Sequence, residues 1–547
     1  MSSLRRRTLL AGAVAAPLAA TLGACTPQEV TGGFVGSDMA RGHTLRDGAL
    51  PAGTPEIRKT QVVIVGGGIA GLMAARILRQ RGIEDFVLLE LEDQAGGNAQ
   101  GSVLGNMPCP LGAHYLPLPG ADATEVQALL QELGLLEHRL GRWQLTAQGE
   151  RHLCHSPQER LYYNGHWQEG LLPVHGAPQS ALDAYRRFAQ LVQAERQPGK
   201  FTIPVQRVDA RWRHELNALD QIPFAQWLDE HGLAEPHLRW YLDYCCRDEY
   251  GAPAQVVSAW AGLHYFASRH GFSAPGAEMA EHDESEGLLT WPEGNAWLVR
   301  QLAQALGERL LPAHVVHRVD VQAHGVQVDA IHAPSGKPLR WQAQHCLLAA
   351  PLFVSARILQ GADSAMQAAL QEASRQLQYA PWLVANLQLG KRLRRREGNA
   401  PLAWDNVIYG HQALGYVNAG HQNLLPYQAE TSVLTWYQTL CEAPGNDAFR
   451  AARMQLMTQP WAHWRNHIIE QLRPLHPDLS EALVRIDVAR WGHGMACPVP
   501  GTRSSAALNA LAQLPASSRV QFCHADLSGY SVFEEACYHG VRAAQAV

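Results

Sequence analysis

Three glycines and one carboxylate carry the clearest chemistry in this chain. Gly66, Gly68 and Gly71 sit in the run Gly66-Gly67-Gly68-Ile69-Ala70-Gly71, and Glu90 stands 19 residues beyond the last of them. A glycine at 66 permits a tight turn, and one at 68 lets backbone approach a pyrophosphate. One at 71 lets a helix pack closely on a sheet, and an acid at this distance accepts hydrogen bonds from ribose hydroxyls. A second group is Asp248-Glu249, next to the aromatic stretch Trp260, His264, Tyr265 and Phe266. Adjacent acids beside aromatic rings can receive a cationic amine; solvated surface carboxylates and ordinary core aromatics are the alternative reading.

The elements that must hold these groups are legible around them. Val62-Val63-Ile64-Val65 and Phe86-Val87-Leu88-Leu89 read as buried strands, and Leu72, Ala75, Leu78 and Arg79 recur at helical spacing between them. The helix N-terminus, with Ile69 and Ala70 in its first turn, therefore points at the phosphates. Gly96-Gly97 offers a second close backbone approach, as a longer, bent cofactor requires. From residue 121 the pattern becomes helical, with Val126, Leu129, Leu130 and Leu133 on one face and Leu182, Tyr185, Ala189 and Val192 on another. Val315 to Val319 and Gly325 to Val328 alternate as a hairpin does.

Taken together, these motifs resemble the flavin-containing amine oxidase and phytoene desaturase superfamily. Its fingerprint runs from the ribose acid into a glycine pair, followed in the family by arginine and here by Asn98. The resemblance covers the chain from about residue 60 to the end, strongest at both ends of that range. It implies FAD, and an α/β fold in which a Rossmann-like FAD-binding domain is interleaved with an α+β substrate domain. The FAD-binding parts would be 59–120, 286–359 and 491–547, and the substrate parts 121–285 and 360–490. It further implies that Val316 offers its backbone to adenine and that Leu111-Gly112-Ala113-His114 passes beside the flavin. His114 is then a flavin-side polar group or a structural histidine. By the same resemblance Asp526 lies near the ribityl chain, and Val532 precedes a helix whose N-terminus faces the flavin pyrimidine. Tyr379-Ala380-Pro381-Trp382 occupies the place where amine oxidases commonly present a lysine; Trp382 is a candidate site residue there, and no lysine is present.

The first 25 residues read as an address. Arg5-Arg6-Arg7-Thr8-Leu9-Leu10 has the form of a twin-arginine signal, and Leu22-Gly23-Ala24-Cys25 resembles a lipobox with Cys25 as the lipidated residue. An uncleaved N-terminal anchor is the alternative. Either way the body is expected outside the cytoplasm, on the periplasmic side and held at a membrane, with 26–58 as a linker. Charge gives no nucleic-acid footprint, since 17% charged residues and a net charge of −5 form an ordinary balance. None of the ten cysteines forms a CxxC pair, so neither a thioredoxin-like couple nor a zinc ribbon is indicated, and no metal is expected.

The expected function is hydride transfer from a small organic donor, best an amine or polyamine, to FAD. Oxygen, a quinone or another protein would be the electron acceptor. The alternatives are a desaturase or isomerase of an apolar substrate, and a lipoprotein that retains FAD without catalysis.

Overall fold

The computed structural model describes residues 29–48, 53–275, 287–394, 400–421 and 431–547. The N-terminal signal, Cys25 included, lies outside the described residues. Two eight-stranded sheets organise the molecule.

The first sheet is the nucleotide layer. Glu56–Val65 is parallel to Phe86–Leu89, with Val62 to Val65 opposite Phe86 to Leu89, and on its other side parallel to Lys337–Leu348. Both faces are covered, which is why Val62, Val63 and Ile64 are fully buried and the run is continuously apolar. The antiparallel strands His314–Gln322 and Gly325–His332 extend the layer, as their alternation predicts. Val520–Phe522 adds to it in parallel beside the end of Lys337–Leu348. Chain segments far apart in sequence thus converge on one sheet, and its strand ends face the crevice where nucleotides bind.

In the second sheet the order is Thr31–Val35, Leu483–Cys497, Gln378–Leu389, Ser432–Thr439, Gly415–Asn418, Asp405–Ile408, Glu159–Tyr163 and His166–Glu169. One face packs on Asn446–Thr458 and Trp461–Leu472, through residues such as Leu387, Leu456, Trp464 and Ile468. Its other face looks toward a helical layer that includes Gln179–Glu195, Pro236–Tyr250 and Ala259–His264. The stretch 26–58, read from sequence as a linker, is structured over much of its length. Thr31–Val35 forms an edge strand and Met39–Asp47 a helix, while the nucleotide strand already starts at Glu56. Its Gly, Pro, Thr and Asp content suggested a tether, but a ladder with Leu483–Cys497 supplies the backbone partners that composition cannot reveal.

Among the described residues no helix is long and apolar enough to cross a membrane. The nine cysteines there are buried thiols.

Candidate functional site

The turn after Glu56–Val65 shows why its glycines are glycines. Gly66 has φ +109°, and a Cβ there would meet the Ala349 carbonyl oxygen at 2.9 Å. At Gly71 a Cβ would fall 1.9 Å from the Gly66 carbonyl oxygen, so the helix Ile69–Gln80 could not sit so close to the turn with any other residue. Gly68 has ordinary dihedrals; its neighbour in space is Gly97, whose own Cβ would lie 3.4 Å from the Gly68 Cα. The two glycines face each other across a bridge between Gly68 and Gly96. Gly67 is held by the same acid: its N–H donates to Glu90 Oε2 at 2.6 Å, and a Cβ there would lie 2.7 Å from that oxygen.

Glu90 is buried, and burial pushes its carboxyl up to about 7 against the pull of its backbone donors. Oε1 accepts from the Glu92 N–H at 2.8 Å, so each oxygen has one backbone partner and lone-pair capacity left for a hydroxyl. Gly68 caps Ile69–Gln80 without a side-chain bond, leaving the first-turn amides of Ile69 and Ala70 for an anion. Val316 is buried in His314–Gln322, beside a register shift between Val316 and Arg318 that interrupts the ladder at this point.

The C-terminal part meets this cradle. Asp526 is fully buried; its Oδ2 accepts from the Leu352 N–H at 2.8 Å and from the Tyr379 hydroxyl at 2.5 Å. Burial would raise its carboxyl, but His524, the Tyr379 hydroxyl and the Leu352 N–H outweigh it and hold the group below the usual carboxylate range. Oδ1 lies 3.1 Å from His524 Nδ1 but has no hydrogen bond. A carboxylate held in its ionised form, with an oxygen that still lacks a hydrogen bond, fits a polyol such as the ribityl chain. Val532 caps Phe533–Gln545, again without a side-chain bond. This helix lies against Ile69–Gln80 so closely that a Cβ on Gly540 would meet the Ala70 carbonyl oxygen at 2.3 Å.

The segment Leu111 to His114 is suspended between the domains. Trp491 Nε1 donates to the Leu111 carbonyl at 2.6 Å and the Tyr437 hydroxyl to the Gly112 carbonyl at 3.1 Å, while the Ala113 N–H donates to the Asn98 carbonyl at 2.8 Å. The Asn98 side chain itself donates to the Gly494 carbonyl, tying the glycine pair to the same junction. His114 stacks on Tyr437 with ring centroids 4.4 Å apart, and burial pulls its imidazole down to about 3, so it is neutral. Trp382 is buried at a bulge in Gln378–Leu389, over Gly251 and Gly494, with its Nε1 unpaired.

Beyond this junction lies a group of acids that the sequence does not assemble. On Pro236–Tyr250, the residues Tyr241, Tyr244, Cys245 and Asp248 share one face by helical spacing. Opposite are Trp404 and Asp405 and, in the next parallel strand, Glu159, which pairs in register with Asp405. Tyr115 approaches Asp248 at 3.5 Å and Tyr244 donates to Asp405 at 3.3 Å. Asp248 and Asp405 are half-buried and Glu159 keeps the most exposure of the three, with protein packed around each. Burial comes first in raising all three, with mutual repulsion adding to it for Asp248 and Asp405. Asp248 and Glu159 reach about 7 and Asp405 lies well above the usual range. Among the described residues no ion pair involves any of the three.

Glu249 belongs elsewhere. One residue further along the helix it points away from Asp248, to Arg269, whose guanidinium lies 3.6 Å from Glu249 and 2.7 Å from Glu534. Its charge is already answered, so of the adjacent pair only Asp248 turns to Tyr115 and the other acids. Arg269 and Tyr265 come from a π-helical turn, Tyr265–His270, which redirects side chains at this spot. Sequence reasoning left Asp405 without a role and passed over Glu159, Tyr241, Tyr244 and Arg269. The outward-facing acid at the start of Glu159–Tyr163 carries no local signal.

The comparisons with known proteins agree with this geometry. Residues 69–547 match the model of the flavin containing amine oxidoreductase family. The Drosophila melanogaster protein anon-37Cs is 36% identical over 78 residues, 14% of this chain and 16% of the relative. The Baeyer-Villiger monooxygenase peniC of Penicillium patulum is 41% identical over 66 residues, 12% of this chain and 11% of its own. Both alignments thus span a small part of the curated relatives. Among solved structures, putrescine oxidase bound to putrescine superposes with a TM-score of 0.61 at 17% identity, covering 90% of this chain and 99% of its own. Cyclohexylamine oxidase from Brevibacterium oxydans gives 0.57 at 18% identity, covering 89% and 98%. A fatty acid isomerase from P. acnes gives 0.59 at 14%, covering 88% and 97%. At these identities the superpositions speak for the fold. The chain belongs to the flavin containing amine oxidoreductase family, and its fold and cofactor are those of an FAD-dependent oxidoreductase.

Proposed function

We propose that this protein oxidises a small amine carrying more than one positive charge, a diamine or polyamine. The observation that carries this reading is the grouping of Asp248, Asp405 and Glu159 among Tyr115, Tyr241, Tyr244 and Trp404. Neighbouring carboxyls without an ion-pair partner in the described residues repel one another, and a cation between them relieves that repulsion. The aromatic walls suit the methylene chain and add cation–π attraction. FAD supplies the hydride acceptor. The chain's own groups bind and orient the donor, and the neutral His114 keeps further positive charge away from the incoming amine.

An anaerobic titration with mono-, di- and polyamines tests this by bleaching of the oxidised flavin band. Diamines or polyamines should bleach it at concentrations at least about tenfold below monoamines of equal length, the discrimination one answered charge provides. If no amine bleaches a flavin that dithionite still reduces, the reading fails. An apolar substrate is the second reading, favoured by the aromatic walls, but it would have to lie against three carboxyls. Readmitting air after bleaching separates oxygen from a quinone or protein as acceptor; the absence of lysine from Tyr379 to Trp382 favours the latter two.

The same proposal places the protein outside the cytoplasm as a lipoprotein exported folded through Arg6-Arg7 and anchored at Cys25. An Arg6→Lys/Arg7→Lys double variant should accumulate as cytoplasmic precursor; undiminished export would refute the twin-arginine route.

A further inference from the structure

The family match begins at residue 69, so residues 29–48 lie ahead of it. They are nevertheless built into the body from end to end. Thr31–Val35 pairs in parallel with Leu483–Cys497, from Thr31 opposite Arg485 to Val35 opposite Ala489. Gly36, at φ +90°, then turns the chain past Leu111, in the segment that joins the two domains. The helix Met39–Asp47 follows, capped by Asp38, whose side chain accepts from the Arg41 N–H at 2.9 Å.

The contacts of this helix gather beside Glu90. At its start the Asp38 N–H donates to both Glu92 oxygens at 3.1 Å. Arg41 donates to the Leu91 carbonyl at 2.8 Å and to Asp93 at 2.9 Å. Leu91, Glu92 and Asp93 directly follow Glu90, the ribose acid. The helix packs against His314–Gln322, the strand that carries Val316. The helix therefore begins beside the expected ribose acid and packs along the strand that carries Val316. None of its residues is buried by protein, so its place is fixed by these end contacts rather than by a core of its own.

We propose that residues 29–48 are a strap across the FAD-binding cleft. Arg41 and Asp38 are its positioning residues: they fasten it to the 91–93 loop and so retain the bound cofactor. The strap lies between the two domains' contributions to the site, and the cofactor enters before the strap settles. It depends only on FAD binding, not on which donor the site takes.

The test uses the full purified flavoprotein. FAD release is followed by the rise of free-flavin fluorescence on dilution, and thermal melts are recorded with and without FAD. Arg41→Ala removes the charge-assisted bonds to Asp93 and Leu91 and should release FAD about tenfold faster. Its melting temperature should fall with FAD bound and stay at the wild-type value without it. Arg41→Lys, which keeps the charge for Asp93, should recover part of the loss. Glu92→Ala breaks the same junction from the body side and should behave as Arg41→Ala does, which serves if the arginine variant does not fold. Release within about twofold of wild type in both alanine variants overturns the strap, since broken charge-assisted bonds would exceed that. An equal fall of the two melting temperatures also overturns it, because the segment would then be a brace for the fold and not for the cofactor.

Discussion

Adjacent residues on one helix have opposite prospects here. Asp248 faces Tyr115 and is pushed up to about 7, first by burial and then by Glu249 and Glu159, while Glu249 is answered by Arg269. An amide at 248 keeps the shape and removes one negative charge. Asp248→Asn should therefore raise the KM for a diamine by about tenfold or more, and leave that for a monoamine within about threefold. Equal effects on both would remove Asp248 from the recognition of a second charge. The group also sets a pH dependence. A carboxyl that titrates near 7 is neutral below it, so diamine affinity should rise as pH increases from about 6 to 8 and fall on acidification. Affinity measured by flavin bleaching across that range checks the sign.

At the scale of elements, the crossing of Ile69–Gln80 with Phe533–Gln545 holds the cradle together. The first helix leaves its first-turn amides without a side-chain cap, and the second sits on it with Gly540 against the Ala70 carbonyl. A methyl there has backbone as its obstacle, so the helices must part. Gly540→Ala should cost about 1–3 kcal/mol of stability and lower the flavin content on purification. Urea unfolding with FAD-to-protein ratios measures both; a variant as stable and as yellow as wild type would show that the pair can slide. Gly540 was not singled out in sequence, because its constraint comes from a helix that begins more than four hundred residues earlier. Gly66, Gly68 and Gly71 were legible because their constraints lie within the turn itself.

For the whole molecule, two sets of buried titratable groups have opposite slopes. Glu90 and Glu535 have ordinary values of 4.5 and Asp248 of 3.8, and all are raised to about 7. Between those limits the folded state holds more protons than the unfolded one, so stability is full below the lower limit and declines as pH rises through about 7. His114, His264 and His493 fall from 6.5 to about 3, so their contribution is full above 6.5 and is lost toward 3. The two slopes oppose each other between about 4.5 and 6.5 and act alone outside that window. The melting temperature of the FAD-free protein should be flat there, falling by several degrees on either side. A steady rise through pH 8 would contradict the burial of these carboxyls.

The sequence by itself determined the nucleotide cradle, because each part of it is local. A strand, a turn of glycines, a helix and an acid in order place their own backbone amides, and the register of Val62 to Val65 with Phe86 to Leu89 follows from the connection between them. The terminal motif around Asp526 and Val532 was singled out by resemblance, and Leu352 and Tyr379, the partners that hold Asp526, come from far along the chain. The tertiary structure decided what faces what. Glu159 and Asp405 are brought side by side by a parallel strand pair, and Asp248 near them by a helix, none of which is written in the spacing of the residues. It also decided that Glu249 turns to Arg269, and that the stretch read as a linker pairs with a sheet edge and reaches the loop beside the ribose acid. Local steric rules act over a few residues and can be read in order along a chain. Burial, charge pairing and strand partners depend on which distant segments meet, and the folded chain alone fixes that.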